Sequence, residues 1–82
     1  MEFISIIWDD GPGGNVEHIA EHGLTPEDVE DILNAPIERT VSRSSGRPLY
    51  KGFTSDGRYL HVIFQQVDRD TIRPITAWEN ET

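Results

Sequence analysis

The side chains able to act on a phosphodiester are concentrated in the second half of the chain. Arg39, Arg43, Arg47, Lys51, Arg58, Arg69 and Arg73 are all of its Lys and Arg, and Tyr50, Tyr59, His61 and Trp78 are interleaved with them. Guanidinium forks hold phosphate oxygens in pairs, and aromatic faces stack on unpaired bases. Such a mixture suits a single-stranded RNA surface, with Arg39, Arg43, Tyr50, Tyr59 and Trp78 as its candidate contacts. His61 titrates near neutrality and is a candidate general acid or base, with Lys51 as a candidate cation beside it. The same residues also describe an ordinary exposed sheet face, on which a single histidine is more often inert.

Two other motifs carry weaker chemistry. His18-Ile19-Ala20-Glu21-His22 has the spacing of the inverted zinc-protease motif. Its helix has room for about two turns, however, Gly23 unwinds the chain beside the second histidine, and no third ligand follows. A surface His18 and a His22 near the carbonyls of its helix end account for the pattern, so no metal is expected. Gly11-Pro12-Gly13-Gly14 precedes a helix but lacks the spacing of a phosphate cradle, and Asp9 and Asp10 would repel the anion. It reads as a flexible connection.

These residues need elements to position them. Phe3 to Trp8 is a short β-branched run, either a doubly buried strand or an edge strand with one apolar side. Asn15 offers an N-cap for a first helix at about 16–22, with Val16, Ile19 and Ala20 on one face and Gly23 as its terminator. Thr25, Pro26, Glu27 and Asp28 form a strong start for a second helix, with Val29, Ile32 and Leu33 buried and Pro36 stopping it near Asn34. From Ile37 the period becomes two. Strands are expected at 37–43, 49–54, 58–67 and 71–78, joined at Ser44-Ser45-Gly46, Ser55-Asp56-Gly57 and Asp68-Arg69-Asp70. Leu60, Val62 and Phe64 should face the helices and His61 the open side. Pro74 demands a sheet edge or a bulge. The expected class is α+β, in the order β-α-α-β-β-β-β: one strand, two short helices and a four-stranded antiparallel meander.

An 82-residue chain has room for one core, so a single domain is expected over 1–82. With no cysteine, disulfides and thiol chemistry are excluded. The first apolar run is too short for a signal or a membrane span, which makes cytoplasm the expected compartment. The formal net charge is −8, which by itself opposes nucleic-acid binding. The distribution is uneven: residues 1–38 hold ten Asp or Glu and no Lys or Arg, whereas residues 39–82 hold seven basic and five acidic side chains. One acidic face and one basic face are expected.

Trp8-Asp9, His22-Gly23-Leu24-Thr25, Gly52, Ser55-Asp56-Gly57-Arg58, Val62 and Ile72-Arg73-Pro74-Ile75-Thr76-Ala77 follow the motif series of BrnT-type toxins, which the chain resembles over nearly its whole length. A group of small uncharacterised domains is similar through Gly23-Leu24-Thr25-Pro26-Glu27-Asp28-Val29, Asn34-Ala35-Pro36 and Ile72-Arg73-Pro74-Ile75-Thr76. The BrnT resemblance implies a RelE-like fold, metal-independent RNA cleavage without a cofactor, and neutralisation by a cognate antitoxin in a type II toxin–antitoxin system. It makes Arg58 and Arg73 the matching catalytic positions, where they would hold the scissile phosphate while the substrate's own 2′-hydroxyl attacks. The chain departs from the family in carrying Phe53 and Trp78 where arginine is usual. It also lacks a basic C-terminal helix, and its first loop is longer. Each departure removes cationic character or alters the presumed site.

Two readings follow: a toxin-like ribonuclease, with its site weakened or lost, and a non-catalytic protein-interaction domain of the same fold. An open edge beside Pro74 would let a homodimer or an antitoxin strand pair there.

Overall fold

The computed structural model describes residues 5–80. The elements are β1 (Ser5–Ile6), α1 (Asn15–Ala20), α2 (Pro26–Asn34), β2 (Glu38–Val41), β3 (Pro48–Phe53), β4 (Tyr59–Gln66) and β5 (Thr71–Glu79). This is the expected α+β order. The sheet runs β1-β5-β4-β3-β2, with β2 to β5 antiparallel and β1 parallel to β5. Phe3 and Ile4 of the expected first strand lie outside the described residues; Ser5 and Ile6 form an edge strand.

α2 forms where its start signal lies. Thr25 Oγ1 accepts the Asp28 backbone N–H and the Asp28 carboxylate accepts that of Thr25, closing a capping box with Pro26 in the first turn. Val29, Ile32 and Leu33 are fully buried, as the 3.6-residue spacing predicts. Against them pack Leu60, Val62 and Phe64 of β4, Ile72 and Ala77 of β5, Tyr50 of β3, and Ile19 of α1.

α1 is shorter than expected and its cap differs. Gly14 is the N-cap residue, and no side chain caps the helix. Asn15 serves a different purpose: its Nδ2 donates to the carbonyls of Ile7 and Pro74, and its Oδ1 accepts the Asp9 N–H. One amide thus ties the end of β1, the middle of β5 and the intervening loop together. Gly23 takes the left-handed conformation at φ 78° and ends the helix, as predicted.

The glycine-rich loop is not a flexible connection. Val16 N–H donates to the Asp9 carbonyl, Gly14 N–H to that of Gly11, and Gly11 N–H to the Asp9 carboxylate. Gly14 is packed so closely that a Cβ there would lie 2.3 Å from the Asp9 carbonyl oxygen. Composition signalled freedom, but the backbone hydrogen bonds remove it.

Pro74 sits at a bulge. Ile63 pairs with Thr76 and Phe64 with Pro74, leaving Ile75 as the extra residue. β5 is not an outer strand at its start, because β1 covers Thr71 and Ile72. Farther along, the Pro74 carbonyl accepts from Asn15 and α1 packs beside the strand. The outer strand on the opposite side is β2, exposed along its whole length, with Ile37 and Val41 more than half exposed beside and within it.

Candidate functional site on the open sheet face

Both helices pack on one side of the sheet. Cross-strand pairing of His61 with Lys51 and with Trp78 places all three on the other side. Around them runs an aromatic row. The Phe53 and Tyr59 ring centroids are 5.0 Å apart, Tyr59 and His61 5.5 Å, and His61 and Trp78 5.3 Å. Phe53 is 53% exposed, and Tyr59, His61 and Trp78 are half-buried against one another. Period-two alternation predicted this side for Tyr59 and His61. Phe53 entered the sequence reading only as a departure from a family pattern, yet it begins the row.

Charge follows the same division only in part. Residues 9–34, which span both helices and the loop before them, hold eight Asp or Glu and no Lys or Arg. The open face carries Lys51, with Glu38 3.6 Å away, and Arg43 at the end of the β2–β3 hairpin. The division is incomplete: Arg39 and Arg58 lie on the helix side and Glu38 on the open face, so the two faces are less cleanly acidic and basic than the uneven charge distribution implied.

The candidate residues do not form one site. Tyr50 is 7% exposed on the helix side, edge-on to Phe64. It is a core residue and cannot stack on a base. Arg39 lies over the Tyr50 ring at 5.5 Å, so it too belongs to the helix side rather than to the surface of Tyr59 and Trp78.

Arg58 is held inside the protein's own framework. Its Nη2 donates to Asp28 at 2.7 Å, and its Nε donates to both Asp56 oxygens. Asp28 is the capping-box residue, so Arg58 ties the start of α2 to the β3–β4 turn. Hydrogen bonds from Thr54 and Arg58 hold the Asp56 carboxyl below its ordinary range. Arg73 is exposed and opposite Gln65, whereas Arg58 immediately precedes β4. Seven residues of strand separate those levels, roughly 23 Å. The two arginines therefore do not converge on one phosphate. Arg73 instead lines a cleft of about 790 Å³ with His18, Asp9 and Asp10, whose carboxylates disfavour an anion.

His61 does not stand free on the open face. Its Nε2 is buried and has no hydrogen-bond partner. Burial and then the nearby Lys51 lower its pKa from 6.5, with Glu38 acting in the opposite sense, so the ring is neutral at neutral pH. A neutral imidazole can accept a proton, but here its neighbours must move before substrate reaches Nε2.

His18 and His22 pack ring to edge, and His18 Nε2 lies 3.1 Å from Thr76 Oγ1. No group of three metal-binding side chains gathers anywhere among the described residues, and no helix among them is long and apolar enough to cross a membrane. Comparison with protein-family models, with curated proteins and with solved structures finds no match to this chain.

Proposed function

We propose that this chain is a toxin-like domain of a type II toxin–antitoxin system, located in the cytoplasm, which takes single-stranded RNA on its open sheet face and has lost efficient metal-independent cleavage. The observation that carries the reading is the Phe53–Tyr59–His61–Trp78 row beside Lys51, on the side away from the acidic helices. Stacking on such a row is tolerant of sequence and contributes roughly 1–3 kcal/mol per base. The commitment of Arg58 to Asp28 and Asp56 and the shielding of His61 Nε2 support the loss of cleavage in this reading. BrnT-like motifs along the chain support the toxin–antitoxin setting, in which the adjacent gene would encode a small basic DNA-binding antitoxin.

The test is binding of a fluorescent single-stranded RNA by the parent and by Trp78→Ala, with RNA integrity followed in parallel and growth monitored on induction. Binding by the parent, weakened at least about tenfold in Trp78→Ala, is expected. Absence of binding by the parent at low salt would overturn the reading. Rapid metal-independent cleavage abolished by Arg58→Ala would show instead that the nuclease site is intact. The second reading, a non-catalytic protein-interaction domain, is favoured by the exposed apolar residues along β2. Recovery of a protein partner that blocks the sheet face, with no RNA binding, would select it.

A further inference from the structure

Between the β2–β3 hairpin and the aromatic row lies a cleft of about 570 Å³. Its volume is within the range of small-molecule sites. Its walls differ in chemistry: Leu49 and Ile63 supply apolar lining, Lys51 lies level with His61 and Trp78 across the paired strands, and Arg43 lines it from the hairpin with Thr40 and Ser44. We infer that this cleft is a nucleotide subsite, holding a phosphate on Arg43 and Lys51 and a base against the Trp78 indole.

Each part of the ligand meets a matching group. A guanidinium and an ammonium complement a phosphate, hydroxyls can donate to its remaining oxygens, and an indole offers the largest stacking face. Glu38 lines the same cleft 3.6 Å from the Lys51 ammonium and is about half exposed. Its carboxylate occupies the cation that the phosphate would take. A nucleotide therefore enters by displacing Glu38 into solvent, which weakens binding and makes the site sensitive to that one carboxylate.

The inference deepens the RNA reading and rests on it for the source of the nucleotide, either one residue of a bound strand or a free mononucleotide. Adenosine 5′-monophosphate and an eight-nucleotide single-stranded RNA are the probes, titrated in low-salt buffer with tryptophan fluorescence and calorimetry. The variants are Arg43→Ala, Glu38→Gln and Trp78→Phe, which alter exposed or half-buried positions. Arg43→Ala should weaken both probes roughly tenfold. Glu38→Gln should tighten both about threefold, and Trp78→Phe, read by calorimetry because the indole is gone, should weaken the mononucleotide while leaving inorganic phosphate, titrated as a control, unchanged. RNA binding that is unchanged in Arg43→Ala and Glu38→Gln would overturn the subsite and leave the RNA reading intact. Mononucleotide binding that follows the expected pattern without any RNA binding would support the subsite and overturn the RNA reading. Absence of both would overturn the subsite outright.

Discussion

If Arg58 is a clamp between α2 and the β3–β4 turn, removing it should lower stability and leave ligand binding largely intact. The size of the effect follows from its contacts. The Arg58–Asp28 bond is 2.7 Å long with side chains 29% and 16% exposed. Exposed ion pairs contribute roughly 0.2–1 kcal/mol and well-formed charged hydrogen bonds roughly 1.5–3, so partial exposure gives about 1 kcal/mol. Asp28 also closes the capping box, which adds about 1 kcal/mol. Arg58→Ala should therefore cost about 1 kcal/mol and Asp28→Ala about 2. For a domain of this size these correspond to Tm decreases of roughly 5 and 10 °C. The double variant should lose about 1 kcal/mol less than the sum, because the pair is lost once. Thermal melts by circular dichroism across the cycle measure each quantity. An Arg58→Ala melt indistinguishable from the parent, with zero coupling, would refute the clamp and return Arg58 to the pool of ligand-binding cations. Acid unfolding gives a second reading. Burial raises the Asp28 pKa, but the Thr25 backbone N–H and Arg58 outweigh it, so the folded value lies below 3.8. The unfolded chain then takes up the proton first as pH falls, so this contribution is complete at neutral pH and is lost below about pH 4. Asp28→Asn should flatten that acid limb.

Two further outcomes test other parts of the structure. Gly14→Ala places a Cβ against the Asp9 carbonyl and should cost several kcal/mol, more than the ~1 kcal/mol lost at a typical cap, as a large fall in the midpoint of urea unfolding. His61 should titrate below 6.5 in an NMR experiment and move upward in Lys51→Met, because the lysine's charge is one cause of the depression. A lowered folded pKa means that the unfolded chain protonates first, so stability should fall as pH drops below about 6.5. His61→Phe should remove that slope.

The fold was legible where local chemistry and long-range packing agree. Thr25-Pro26-Glu27-Asp28 names its own helix start, and the alternation of Leu60, Val62 and Phe64 identifies the inner face of β4 without any tertiary information. Asn15 was misread because an asparagine before a helix reads as a cap, whereas its true partners include the carbonyl of Pro74, 59 residues away. Arg58 was assigned to the phosphate by resemblance, and the contact that engages it was hidden from the sequence because its partner Asp28 lies 30 residues earlier. Tyr50 shows the limit of composition, since an aromatic among basic residues can fill a core or a binding surface and only its strand parity decides. The open face was partly visible in Tyr59 and His61, but Phe53 joins the row through the β3–β4 pairing that sets it opposite Tyr59.

The bulge at Ile75 works as a change of phase. Counted in twos from Ile72 and Pro74, the inward positions of β5 would be 76 and 78, and Trp78 would lie beneath the helices. The unpaired Ile75 shifts the count by one, so the fully buried position goes to Ala77, where there is space for a methyl group, and the indole turns outward to meet His61. Loss of that residue would leave both halves of the strand in step. Straightening the strand at its present length would exchange a methyl for an indole in the core and remove the end of the aromatic row. The outward face of this sheet therefore depends on parity, and a proline that cannot donate to a ladder marks the point where the parity changes.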